Sequence, residues 1–240
     1  MEQFQVSNRR PASSSALSDA EAQAIIDARL AARLWESENA TMRLNVPLRI
    51  LQEHCSTQTR WVVLTGATCA GKSTTAHELE KRGYTIIREV PRAFMESEVA
   101  KGRSMAQVRA DDPWLRQKVF ELTLQTEISL LSRAHELIFL DRSAVDGISF
   151  HRASGLDPHE ILAQLSTYRY QSVFHFTKLP FEDDKLRTYC PDRREFIDAA
   201  LLRDYRALGY RPVIVPYDTV EARADLVLEH CLGRTGPEMH

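Results

Sequence analysis

Gly66-Ala67-Thr68-Cys69-Ala70-Gly71-Lys72-Ser73 lies between the apolar run Trp61-Val62-Val63-Leu64-Thr65 and the segment Thr74-Thr75-Ala76-His77-Glu78-Leu79. Strand, glycine loop and helix in that order, with GxxxxGK and then Ser or Thr, is the pattern of a phosphate-binding P-loop. The glycines let the backbone curl until successive N–H groups point inward, and the helix start adds partial positive charge to that nest. Gly66, Ala67, Thr68, Cys69, Ala70, Gly71, Lys72, Ser73 and Thr74 are therefore expected to wrap a triphosphate, ATP or GTP. Lys72 would bridge the β- and γ-phosphates, and the Ser73 hydroxyl would hold Mg2+. Cys69 sits where a helix N-terminus and Lys72 would lower a thiol pKa. The plainer reading is a tolerated small residue, because that loop position contributes backbone rather than side chain.

Beyond the loop, apolar β-branched runs alternate with helical segments, which predicts a parallel sheet covered by helices. Tyr84-Thr85-Ile86-Ile87-Arg88-Glu89 follows the turn at Gly83 and reads as the second strand, with Pro91 opening a short helix through Met95. A long helix starts near Pro113, after the cap candidate Asp112, and runs towards His135. On it Phe120, Leu124, Ile128 and Leu131 keep core spacing, while Trp114, Lys118, Glu121 and Gln125 share another face. Leu137-Ile138-Phe139-Leu140 is the third strand and ends in Asp141-Arg142-Ser143, with a helix from about Val145 to Arg152. Pro158 to Leu165 is expected to be helical, Ser172 to Phe176 the fourth strand and Pro212 to Pro216 the fifth. Helices are expected from Asp192 to Leu208, with Gly209 ending it, and from Val220 to Leu232.

Ahead of this domain, residues 1–58 read as an extension. Its leader to about Leu17 is polar and serine-rich, with little to bury. From Asp19 to Trp35 the chain is rich in helix formers, with Ile26, Leu30 and Leu34 on one face and Ser18 placed as cap. That face needs a cover, either the main domain or another chain, the latter as a protein partner or by self-association. The 240 residues thus divide into an extension, 1–58, and a P-loop domain, 59–240.

A net charge of -2 gives no reason to expect nucleic acid or an anionic membrane as the main partner. Cys55, Cys69, Cys190 and Cys231 lack metal-ligand spacing, and no apolar run approaches bilayer length. With no signal-peptide core at the N-terminus, the expected compartment is the cytoplasm.

In open α/β sheets ligands collect at the carboxyl ends of the strands. The second strand delivers Glu89 there, and the third delivers Asp141, Arg142 and Ser143. Asp141 ends a wholly apolar strand, as a Walker B aspartate does, and is the metal-side candidate beside Ser73. Glu89 is the candidate base for an attacking hydroxyl. Either acid would alternatively cap the helix that follows it. Transfer of a γ-phosphate spreads negative charge that arginines offset, and Arg142, Arg187, Arg193 and Arg194 are available. Arg187 and Arg193 flank a proline-containing loop where a lid over the nucleotide is expected; the alternative is a solvated surface paired with Asp183, Asp184, Asp192 and Glu195. Gln125 would hydrogen-bond the edge of an acceptor, or simply face solvent.

Together these residues resemble the NadR-like P-loop family, which includes the kinase domain of ribosylnicotinamide kinase. The likeness is carried by GATCAGKS at 66–73, Glu89-Val90-Pro91-Arg92, Gln125, Phe139-Leu140-Asp141-Arg142, Asp183-Asp184-Lys185-Leu186-Arg187, and Tyr205 to Pro216. It spans about residues 60–232. The resemblance implies a three-layer, nucleoside-kinase-like P-loop NTPase fold on a five-stranded parallel sheet. It also implies ATP or GTP with Mg2+, and a small hydroxyl-bearing acceptor. Asp141-Arg142-Ser143 is similar to the acid-Arg-Ser element of deoxynucleoside kinases. Val90 and Pro91 stand where ribosylnicotinamide kinases carry an aromatic residue, so nicotinamide riboside is not assigned as the acceptor. A nucleotide-dependent switch acting through a partner is the alternative, motivated by the helix from Asp19 to Trp35.

Overall fold

A computed structural model describes residues 57–110, 112–158, 161, 163–166, 168–177 and 191–233. The leader, the helix expected from Asp19 to Trp35, the lid segment and Arg187 lie outside the described residues, as does the side chain of Arg193.

The strands are β1 (Thr57–Gln58), β2 (Trp61–Thr65), β3 (Thr85–Ile87), β4 (Ile138–Asp141), β5 (Tyr168–Arg169), β6 (Ser172–Phe176) and β7 (Val213–Val215). The helices are α1 (Lys72–Lys81), α2 (Val90–Ala100), α3 (Met105–Ala110), α4 (Asp112–Ser129), α5 (Asp146–Ala153), α6 (Pro191–Ala207) and α7 (Val220–Leu232). Five strands form one parallel sheet in the order β3-β4-β2-β6-β7. β1 and β5 make a separate parallel pair, which docks Thr57 and Gln58 against the domain.

β2 is buried along its whole length, which is why it reads as an unbroken apolar run rather than an alternating one. The strand period of two still divides the core. Trp61 and Val63 pack with Ile138, Leu140, Val173, Phe120, Ile148 and Tyr205 on the face covered by α4, α5 and α6. Val62 and Leu64 pack with Phe139, Phe174, Phe176, Leu79 and Val227 on the face covered by α1 and α7. The result is the expected three-layer P-loop NTPase fold. Parallel registry aligns Leu64 with Asp141 and Thr65 with His175, so β2, β4 and β6 present their carboxyl ends together.

Several boundaries differ from the sequence reading. The second strand is shorter, because the chain turns into α2 at Glu89, the residue that precedes the helix. The short helix opened by Pro91 continues to Ala100. α4 ends at Ser129 instead of reaching His135 and passes into the 3-10 turn Leu131–Arg133, where Arg133 N–H donates to Leu130 O at 2.8 Å. The core face of α4 also differs: Ile128 is 46% exposed, whereas Glu127, beside it, is only 2% exposed. Of the helix expected over Pro158–Leu165, residues 159, 160 and 162 are outside the described residues, and a 3-10 turn covers Ala163–Ser166.

Candidate active site

The P-loop is held in shape by its own glycines and by braces from distant helices. Gly66 has φ +131°, and a Cβ there would lie 2.6 Å from Phe176 O on the neighbouring strand. No other residue fits that position without moving β6. Gly71, at φ 83°, turns the chain into α1. Cys69 occupies the left-handed region at φ 60°, in keeping with a position that supplies backbone. From α6, Asp198 Oδ1 accepts from Ala67 N–H at 3.1 Å and pairs with His175 Nε2 at 3.1 Å. From α7, Arg223 Nη1 donates to Ala70 O at 2.8 Å, and its Nε donates to Pro216 O at 2.8 Å.

Lys72 is buried and spends two donors on the loop itself, to Gly66 O at 3.0 Å and Ala67 O at 2.8 Å. Burial, reinforced by the nearby Arg142 charge, lowers its pKa to about 8. Ser73 Oγ donates to Asp141 Oδ2 at 2.7 Å across the ends of α1 and β4. Asp141 Oδ1 is buried without a hydrogen-bond partner. Burial pushes the Asp141 carboxyl up, against the pull of the Ser73 hydroxyl and Lys72. A hydroxyl and a carboxylate with one unsatisfied buried oxygen are hard oxygen donors suited to Mg2+.

Arg142 organises the other half of the site. Its backbone, at φ 75°, lies in the left-handed region that costs a non-glycine residue about 1–2 kcal/mol. Its N–H donates to Leu64 O at 3.1 Å, tying the end of β4 to β2. The side chain forks: Nε donates to Glu89 Oε1 at 2.8 Å, and Nη1 donates to Asp146 Oδ2 at 3.1 Å. The guanidinium also lies over the Phe150 ring, 5.0 Å from its centroid. Burial works against its charge, but Glu89, Asp146 and Asp141 more than offset this and hold its pKa above the ordinary range. Asp146 in turn accepts from Thr65 Oγ1 at 3.0 Å and from Tyr205 Oη at 2.6 Å, and Tyr205 Oη meets Ser143 Oγ at 2.7 Å.

Lys72, Ser73, Glu89, Asp141 and Arg142, named from the sequence, are thus gathered at the carboxyl ends of the strands. Arg194 reaches the loop from α6, with Nη2 at 3.5 Å from Cys69 O. Gln125 is exposed on α4. Sequence reasoning missed Asp146, Tyr205, Glu127, Asp198 and Arg223. Asp146 was legible in principle, as an acid four residues after Arg142 at the start of the following helix; the others carry no local motif.

Sheet order, P-loop and strand-end acids define a P-loop NTPase domain. A family model described as an AAA domain, AAA_28, matches residues 61–223, and the chain belongs to this family. Among solved structures it is similar to the NadR protein in complex with NR, at 16% identity and a TM-score of 0.54, with 80% of this chain covering 55% of that one. It is also similar to deoxyadenosine kinase from M. mycoides with products dCMP and dCDP bound, at 14% identity and a TM-score of 0.50, with 71% of this chain covering 97% of that one. None of the curated proteins matches the sequence. No helix among the described residues is long and apolar enough to cross a membrane.

Proposed function

We propose that this protein is an ATP- or GTP-dependent phosphotransferase that moves the γ-phosphate to the hydroxyl of a small, nucleoside-like metabolite. The observation that carries this reading is the Glu89–Arg142 pair at 2.8 Å, set beside the Ser73–Asp141 pair at 2.7 Å. A switch that only hydrolyses needs to orient a water. A carboxylate held on an arginine at the mouth of the sheet suits a proton acceptor for an organic hydroxyl. The deoxyadenosine kinase of similar fold supports the reading.

In this reading the P-loop amides from Gly66 to Thr74 grip the phosphate chain, and Lys72 leaves its two carbonyls to neutralise the β- and γ-phosphates. Ser73 and Asp141 would hold Mg2+, which supplies charge neutralisation on the phosphate oxygens. Glu89 is 28% exposed and so is reachable by an acceptor; it takes the hydroxyl proton. Arg142 orients that carboxylate and faces the negative charge that builds on the transferred group. Arg187 and Arg193 are assigned to the lid that closes over the nucleotide.

The test is transfer from γ-labelled ATP and GTP to a panel of nucleosides and related hydroxyl-bearing metabolites, using the full chain. Transfer to at least one acceptor, abolished in a folded Lys72→Ala variant, is the expected result. Tight nucleotide binding with no phosphorylated acceptor anywhere in the panel would sink the kinase reading.

A further inference from the structure

The tight turn between β4 and α5 contains a left-handed arginine and two backbone amides that no helix carbonyl reaches. Such a turn persists only where its surroundings over-determine it. Val145 N–H is satisfied locally, by Ser143 Oγ at 3.2 Å. Ala144 N–H is satisfied from another helix, by Glu127 Oε1 at 2.8 Å. Glu127 lies seventeen residues earlier, on the core face of α4.

Glu127 is itself held in place. Its Oε2 accepts from Tyr170 Oη at 2.6 Å and also from the Tyr168 hydroxyl. Tyr168 and Tyr170 come from the segment leading into β6, so three separate parts of the chain meet at one carboxylate. Tyr170 stacks on Tyr210, and Tyr210 Oη accepts from Tyr170 N–H at 3.3 Å. The arrangement is a buried carboxylate with every oxygen engaged, aimed at the residue two positions after Arg142. An acid is costly in a core of this kind unless its oxygens are paired, and here a leucine would leave the Ala144, Tyr168 and Tyr170 donors without an acceptor. A core acid whose bonds converge on a strained catalytic turn therefore calls for a role beyond packing.

We infer that Glu127 is a positioning residue: by anchoring the Ala144 amide it fixes the turn that presents Arg142 to Glu89. The meaning of that turn for phosphoryl transfer rests on the kinase reading above, whereas the anchoring does not. Glu127 touches neither nucleotide site nor acceptor side chain, so it acts only through the backbone at 142–146.

The experiment compares Glu127→Leu, Glu127→Gln and Tyr170→Phe with the wild-type chain, by amide hydrogen exchange and by steady-state transfer kinetics. In Glu127→Leu, exchange over residues 142–147 is expected to accelerate at least tenfold while the P-loop segment 66–73 is unchanged. kcat is expected to fall between ten- and a hundredfold with KM for the nucleotide within threefold. Glu127→Gln keeps an oxygen for Ala144 N–H and should recover most of kcat, and Tyr170→Phe should lie between. If Glu127→Leu does not fold, the Gln and Phe variants are read by the same two measurements. Exchange at 142–147 equal to wild type, or acceleration spread evenly over the domain, would overturn the assignment. So would a leucine variant with unaltered kcat. If the wild-type chain phosphorylates nothing, the kinase reading falls, and exchange at 142–147 alone still decides whether Glu127 anchors the turn.

Discussion

Ser73 and Asp141, sixty-eight residues apart, share a 2.7 Å hydrogen bond that satisfies Oδ2 of the carboxylate and leaves Oδ1 buried with no partner. A buried carboxylate oxygen without a donor costs free energy that an incoming cation recovers. Under the proposed kinase reading these two residues would hold the cation, and the α1 hydroxyl and the β4 acid are already in contact.

Asp141→Asn retains an oxygen for the Ser73 hydroxyl but removes the charge. Nucleotide affinity in EDTA should stay within about threefold of wild type, while the gain in affinity on adding Mg2+ disappears. Phosphoryl transfer should fall about 100- to 1000-fold, the usual scale for losing one electrostatic contact to the transition state. Calorimetric titrations with and without Mg2+ check the first outcome, and an intact Mg2+ effect would remove Asp141 from the metal site.

Lys72 carries a pKa lowered to about 8 by burial and by Arg142. Phosphates arriving beside it favour the protonated form and raise that pKa. Nucleotide binding should therefore take up protons near pH 8, and affinity should fall as pH rises above about 8. Calorimetry at pH 8 in buffers of different ionisation enthalpy measures the proton count; zero uptake would contradict the lowered pKa.

Glu127 behaves oppositely to most carboxylates. Burial raises its pKa to about 7, against the hydrogen bonds from Tyr168, Tyr170 and the Ala144 amide, with Asp146 adding to the rise. A folded pKa above the unfolded value gives a stabilising contribution that is complete below about pH 4.5 and is lost as pH rises through about 7. Glu127→Gln lacks this titration. Its stability relative to wild type should rise steadily between pH 5 and pH 8 in urea unfolding, and a difference independent of pH would refute the raised pKa.

Gly66→Ala places a methyl 2.6 Å from Phe176 O at a φ of +131°. Both the clash and the backbone strain are unfavourable, so the variant should lose at least about 2 kcal/mol of stability. Nucleotide affinity should fall with it, because β2 and β6 must separate at the loop. Denaturant midpoints compared at constant m-value provide the check.

The sequence by itself determined the architecture and half of the site. A continuous apolar run of five residues ending at a glycine loop is too short for a buried helix and reads as a strand covered on both faces, and loop and helix follow from local backbone chemistry at Gly66 and Gly71. Asp141 and Glu89 were legible because the carboxyl ends of parallel strands converge, wherever the strands lie in the sheet. What the tertiary structure decided is which side chains meet across long stretches of chain. Helical spacing on α4 selects Ile128 for the core, yet Ile128 is exposed and Glu127 is buried, because Tyr168, Tyr170 and the Ala144 amide supply the donors that make a core carboxylate tolerable. Those donors lie seventeen to forty-three residues away. Periodicity registers hydrophobicity along one helix, whereas the burial of an acid depends on partners that only folding brings within hydrogen-bond reach.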